Sequence, residues 1–173
     1  VLLAVLLALV LAAELAMPGV ILVLAPGFAD EVLRYELAVE LTRITFPYLP
    51  LISLVALWGG MLNSLGKFWA MAAAPILLNL ILITALATAA GALETPGHVL
   101  AWGVAAAGVA QALFVAVACR REGALPPLVR PRLTPQVKKL LVLMAPAALG
   151  AGVVQVNAFI GILLASLLPA GSV

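Results

Sequence analysis

Hydrophobic positions in this chain fall in long uninterrupted runs separated by short polar clusters. From Ile44 to Gly66 there are 23 residues without a charge, and after Lys67 the stretch Phe68 to Leu93 adds 26 more. About 20 apolar residues suffice to cross a bilayer core of roughly 30 Å. The two runs therefore predict a transmembrane helical hairpin with its tip at Asn63–Trp69. Pro47 and Pro50 stand near the start of the first run, where a missing N–H costs least. Pro75 and Asn79 are four residues apart and share one face of the second helix. Another run opens the chain, from Val1 to about Ala25, interrupted by Glu14 and Pro18-Gly19 and stopped by Pro26-Gly27. Val99 to Cys119 gives 21 charge-free residues, and Leu140 to Ala170 gives 31. The last exceeds one span, so it is expected to tilt, to bend near Pro146 or Gly150/Gly152, or to begin along the interface.

The segments between the runs are as informative. Phe28 to Arg43 is the most charged stretch, yet Val32, Leu33, Leu37, Leu41 and Ile44 recur at three- and four-residue intervals. This predicts a short amphipathic connector helix at the membrane face, with Asp30 as its N-cap. Gly91 to His98, holding Glu94, Pro96 and Gly97, predicts a turn in which His98 is a solvated loop residue. Arg120 to Lys139 predicts a linker, because Pro126, Pro127, Pro131 and Pro135 forbid a continuous helix. On the fourth run, Gly103, Ala107 and Gln111 are spaced by four, a small-residue face suited to close helix contact.

Composition turns these runs into a class. The chain is 66% hydrophobic and 9% charged, with mean hydropathy +1.28, against roughly 25% charged residues in soluble domains. It is an integral membrane protein. A β-barrel would need alternating polar residues for its lumen, and the runs do not alternate. The expected fold is an all-α polytopic transmembrane bundle of about five spans. The opening residues lack a basic n-region and do not resemble a signal peptide. Both ends look cut, so the chain is expected to be an internal fragment.

Charge sets the expected topology. With five spans, Lys67 and the 120–139 linker lie on one side and carry seven of the nine Lys and Arg residues. The 27–43 connector and the 91–98 turn lie on the other, with Arg34 and Arg43. Excess Lys and Arg marks the cytoplasm, which places Val1 on the inside. Cys119 is the sole cysteine and His98 the sole histidine, so neither an internal disulfide nor a Cys- or His-cluster metal site is available.

Few residues can carry chemistry. Glu14 is the one ionisable group inside an uninterrupted membrane run, a position that is costly and suggests function. It is a candidate for a proton or cation, or for pairing with a cation elsewhere. Asn63, Asn79, Gln111, Gln155 and Asn157 form a set of membrane amides, for which interhelical bonding is the simplest role. Asn79, one turn after Pro75, is also expected to stabilise that helix at its bend. Gln155 and Asn157 stand on a helix already loosened by Gly150 and Gly152. Arg120, Arg121, Arg130, Arg132, Lys138 and Lys139 form a basic cluster able to attract anionic lipid headgroups, although topology alone also requires it. No nucleotide loop, HExxH, paired carboxylates or nucleophile elbow is present, so neither an enzyme nor a cofactor is expected. No nucleic-acid partner is expected either.

FPYL at 46–49, LWGGMLN at 57–63, KF at 67–68 and APILLN at 74–79 resemble the fourth and fifth helices of the MurJ (MviN) family. APGFAD at Ala25–Asp30 and PAALGAGVVQVNAFIGILLASLLPAGSV at Pro146–Val173 extend the similarity along nearly the whole chain. The family belongs to the multidrug/oligosaccharidyl-lipid/polysaccharide exporter superfamily. The resemblance implies the third to seventh helices of a lipid II flippase in the bacterial cytoplasmic (inner) membrane. Residues 1–119 would be four helices of the N-terminal lobe, at about 1–25, 44–66, 68–93 and 99–119. Residues 120–139 would be a basic cytoplasmic linker, and 140–173 the first helix of the second lobe. The implied cargo is the undecaprenyl-pyrophosphate-linked disaccharide-peptide, moved by alternating access for cell-wall synthesis. Membrane lipids and other cell-wall synthesis proteins are the implied partners. In the family the helix matching Gln155 and Asn157 lines the central cavity. The cavity arginines lie on the first two helices and the eighth, which this chain lacks. Alternatives are a related exporter of other polyprenyl-linked saccharides or cations, and a non-transporting scaffold of the cell-wall machinery.

Overall fold

A computed structural model describes residues 2–28, 31–89, 95–126 and 134–166. Helix α1 spans Leu2–Leu24 and runs through Pro18; a single 3₁₀ turn follows at Pro26–Phe28. Then come α2, Val32–Thr45; α3, Tyr48–Ser64; α4, Trp69–Ala89; α5, Pro96–Arg121; and α6, Pro135–Ser166. No strand occurs among the described residues. Five stretches are long and apolar enough to span a membrane: Leu2–Leu24, Val32–Ser64, Trp69–Ala89, Pro96–Arg121 and Val137–Leu164. The all-α multi-pass expectation holds. Asp30, the expected cap of α2, lies outside the described residues, as do Arg130 and Arg132.

Local chemistry sets the helix ends. At α3, Gly66 takes φ +74°, its N–H donates to the Asn63 carbonyl at 3.0 Å, and the Lys67 N–H donates to Leu62 at 2.9 Å. This paired closure satisfies carbonyls that a helix end leaves bare, and it needs a residue free to adopt positive φ. Helix α5 ends the same way: Gly123 takes φ +66°, and its N–H and that of Ala124 donate to Arg120 and Cys119. Both α5 and α6 begin with Thr-Pro. Thr95 Oγ1 accepts from the His98 N–H at 3.4 Å, and Thr134 Oγ1 from the Val137 N–H at 3.3 Å. Threonine caps the exposed N–H groups, and proline fits the first helical position because its missing N–H is not needed there.

These starts shift some expectations. Helix α5 begins at Pro96, inside the stretch read as a turn, and so incorporates His98. Helix α6 begins at Pro135 and takes Lys138 and Lys139 with it, then continues through Pro146. The apolar run beginning at Ile44 contains a break at Phe46-Pro47 between α2 and α3.

The chain divides into two compact units, one built on Leu2–Glu14 with α2 from Glu40 onward through α5, the other on Leu15–Val39 with α6. In the first, α3 and α4 pack on α5. Val55 and Leu62 of α3, Ala70 and Ala74 of α4, and Ala112, Val115, Ala118 and Cys119 of α5 form the buried core. Helix α5 is the centre, burying eleven of its 26 residues. Small side chains make this possible, because lipid tails are as apolar as leucine and only close, well-fitted backbones gain by association. A Cβ on Gly103 would lie 3.0 Å from Leu82 Cδ2, and one on Gly108 would lie 2.6 Å from Tyr48 Cδ2. Outside the core, Trp69 meets Phe114 edge-to-face at 5.6 Å.

Gly108→Ala is therefore expected to push the Tyr48 ring off its seat and lower stability by about 1–3 kcal/mol, the usual range for overpacking. Gly60→Ala, where a Cβ meets nothing within 4 Å, is expected to be neutral or slightly stabilising. Thermal unfolding of the two variants of the full-length protein in detergent measures the difference.

Candidate functional site

The residues singled out from sequence occupy different settings. Glu14 sits on α1, half-buried, with Oε1 fully enclosed and without a hydrogen-bond partner. Asn79 is exposed on α4, and its side chain makes no hydrogen bond among the described residues. Gln155 and Asn157 are exposed on α6, also without hydrogen bonds among the described residues. Asn63 has a buried, partnerless Oδ1. Arg120 and Arg121 are exposed in the last turn of α5, where positive charge complements the helix dipole. Lys138 and Lys139 are exposed in the opening turns of α6. Glu14, Asn79, Arg120 and Arg121 belong to one unit; Lys138, Lys139, Gln155 and Asn157 belong to the other.

What it does assemble is a polar tie at the centre of the α3–α4–α5 bundle. Gln111 is 2% exposed. Its Nε2 donates to the Ala74 carbonyl of α4 at 2.7 Å, and its Oε1 accepts from the Tyr48 hydroxyl of α3 at 3.1 Å. One amide thus joins three helices, the role expected of a membrane amide on a small-residue face. The Tyr48 partnership was not legible in sequence.

A second tie lies at the start of α5. His98 is 6% exposed rather than a solvated loop residue. Its Nδ1 is 2.9 Å from Thr95 Oγ1, and its Nε2 is 3.4 Å from Glu40 Oε1 of α2. The physical reason is the helix start: Thr-Pro places His98 in the first turn of α5, on the side that Leu41 of α2 covers at Gly97. Thr95-Pro96 was the signal that could have revealed it. Toward the other end of α5, Lys67 Nζ lies 3.4 Å from Glu122 Oε2, joining the α3–α4 turn to the residue that closes α5. Both partners are a third or more exposed, so this pair contributes about 1 kcal/mol at most.

These features define a multi-pass helical membrane protein whose bundle is held by small residues and a few enclosed polar ties. The family described as "Lipid II flippase MurJ" matches residues 1–173. Proteins described as probable lipid II flippase MurJ from Rhizobium meliloti (strain 1021) and Rhizobium tropici are 46% and 47% identical to it, each alignment covering 96% of this chain and 32% of the relative. One from Rickettsia prowazekii (strain Madrid E) is 38% identical over 85% of this chain and 29% of its own. The chain belongs to the MurJ family, and it spans about a third of the length of these curated relatives.

Gln111→Leu removes a bridge that serves both neighbours and is expected to destabilise the protein by about 0.6–2 kcal/mol, the range for such membrane bonds. Tyr48→Phe removes one arm of the same tie. In a double-mutant cycle read by thermal unfolding, the two changes together are expected to cost less than their sum.

Proposed function

We propose that the whole protein, of which this chain forms about a third, is a flippase that moves lipid II from the inner to the outer leaflet of the bacterial inner membrane. The observation that carries this reading is the family match along the entire chain, together with relatives described as lipid II flippases. The five helices long enough to span a membrane fit it. In this reading α1, α3, α4 and α5 are helices of the N-terminal lobe, and α6 opens the second. The chain is a transporter component without catalytic chemistry, and lipid II is handled as cargo by two lobes rocking about a midplane cavity.

Sidedness follows the positive charge. The α3–α4 turn and the end of α5 face the cytoplasm, a shared side supported by the Lys67–Glu122 contact. The start of α5 and the end of α2, joined through His98 and Glu40, face outward. The charges of Arg120, Arg121, Arg130, Arg132, Lys138 and Lys139 set that orientation and would attract an anionic headgroup at the cytoplasmic face.

Gln155 and Asn157 are the cavity residues on this chain. Their support is physical: unbonded amides on a membrane-spanning helix need a polar neighbour, because hydrocarbon provides none. A water-filled cavity or the cargo's sugar and peptide groups would provide one. Asn79 and Glu14 are further cavity candidates.

The test uses the full-length protein in a cell-wall-synthesising bacterium that lacks a redundant flippase. Rapid depletion is expected to make the lipid-linked precursor inaccessible to a degrading enzyme added outside. Re-expression of the parent is expected to restore access. The Gln155→Ala/Asn157→Ala double variant, made to equal level, is expected to restore access by a tenfold smaller factor or less. Unchanged access after depletion overturns the flippase reading. Full restoration by the double variant overturns the cavity assignment alone.

A further inference from the structure

Proline inside a helix leaves the carbonyl four residues earlier without its N–H partner. In α1 the proline is Pro18, and the carbonyl it strands is that of Glu14. That carbonyl has a donor from elsewhere: Nη2 of Arg43, on α2, lies 3.5 Å from it. The carbonyl of Pro18 itself accepts from the hydroxyl of Tyr35, also on α2, at 2.9 Å. Two carbonyls one turn apart, on either side of the proline ring, are thus served by side chains of α2.

The side chain of Glu14 makes the choice of acceptor notable. Its Oε1 is buried and accepts no hydrogen bond, and the carboxyl forms no ion pair with Arg43 among the described residues. Arg43 therefore meets the backbone carbonyl of Glu14 and leaves the carboxyl of the same residue unpaired. A guanidinium–carboxylate hydrogen bond closes to about 2.7–2.9 Å, shorter than the 3.5 Å contact present here. Transfer of the Nη2 donor to the carboxyl would draw it away from the carbonyl and leave that carbonyl unsatisfied. A carbonyl stranded by proline gains from any donor that reaches it, so the two arrangements differ in how firmly α1 is held at Pro18.

We propose that Arg43 is a positioning residue for α1: it supplies the hydrogen bond that Pro18 denies the Glu14 carbonyl, and the Glu14 carboxyl is its competing acceptor. Helix α2 is by this arrangement a handle on the break in α1, and the carboxyl is the group that can loosen it. The inference rests on backbone chemistry and does not depend on the cargo.

Amide hydrogen exchange of the full-length protein in lipid nanodiscs tests it, read at the amides of residues 19–22, just past the break. Arg43→Met is expected to speed exchange there about three- to tenfold, the consequence of losing a modest hydrogen bond in a locally opening segment. Pro18→Ala gives residue 18 an N–H that can serve the Glu14 carbonyl directly. In that background Arg43→Met is expected to change exchange by less than about twofold. Equal acceleration in both backgrounds overturns the proposal, since Arg43 would then be acting on something other than the stranded carbonyl. Arg43→Lys keeps a charged donor and is expected to restore slow exchange; no rescue overturns it too. If Arg43→Met does not fold, Arg43→Leu, which likewise lacks a donor, carries the same comparison. Glu14→Gln leaves the carbonyl in place and removes the competing carboxylate, so it is expected to slow exchange. Faster or unchanged exchange in Glu14→Gln overturns the competition.

Discussion

The close approach of α3 and α4 to α5 is the contact on which the described bundle depends. Between membrane helices there is little hydrophobic driving force, since lipid tails solvate a leucine as well as another leucine does. Association has to come from surfaces that fit and from polar groups that find each other. Helix α5 supplies the fit through Gly103, Ala107, Gly108, Ala112 and Ala118, all buried. Tyr48 and Leu51 lie over Gly108, and Leu82 over Gly103. It supplies the polar part through Gln111, which bonds to both neighbours. The two devices are coupled: Tyr48 can reach Gln111 because Gly108, three residues earlier, has no side chain to hold its ring away.

A membrane adds a second constraint, the satisfaction of every backbone group within the protein. Helix ends and interior prolines are where it bites. Thr95-Pro96 and Thr134-Pro135 open helices with a hydroxyl in place and no N–H wasted. Gly66 and Gly123 close helices with paired bonds to their last carbonyls. The break at Pro18 has no such local remedy, and Arg43 and Tyr35 of α2 attend to it instead. Charged residues on this connector thus do more than keep it soluble at the interface.

Much of the helical layout was legible in sequence because length and charge determine it directly. The charge-free runs, Lys67 between two of them and Gly66 at the turn leave a hairpin as the economical solution. What was missed depends on reading punctuation as a start rather than a stop. Pro96 and Gly97 looked like a turn, yet Thr95 before them makes the same residues a capped helix start, and His98 moves from loop to interior. Pro135 looked like one more breaker in a linker, yet with Thr134 it opens α6. The partners of Gln111 and Arg43 were not readable, because a residue's neighbours 37 or 29 positions away depend on packing rather than on local pattern. The cavity is less legible still. Gln155, Asn157 and Asn79 are exposed amides here, and what covers them is fixed by contacts that the described residues do not supply.

Under the proposed function, that exposure bears on how the work is divided along the full protein. A pyrophosphate group calls for charge-assisted bonds from arginine or lysine. The five apolar runs of this chain contain neither. Arg43 stands just before one of them and is engaged with α1, while Arg120 and Arg121 stand exposed in the last turn of α5. Recognition of the charged headgroup therefore falls chiefly to helices outside this chain. The part described here supplies a three-helix body, tied at its centre by one amide, and a first helix whose stranded carbonyl at Glu14 is served from α2. A rocking transporter needs both, because a lobe that moves as a unit must be stiff within and adjustable at a few defined points. Gln111 belongs to the stiff part and Arg43 to the adjustable one. The distinction rests on what each bonds: Gln111 is enclosed and bonded to two helices, whereas Arg43 makes one long contact to the carbonyl of a residue whose Oε1 has no hydrogen-bond partner among the described residues.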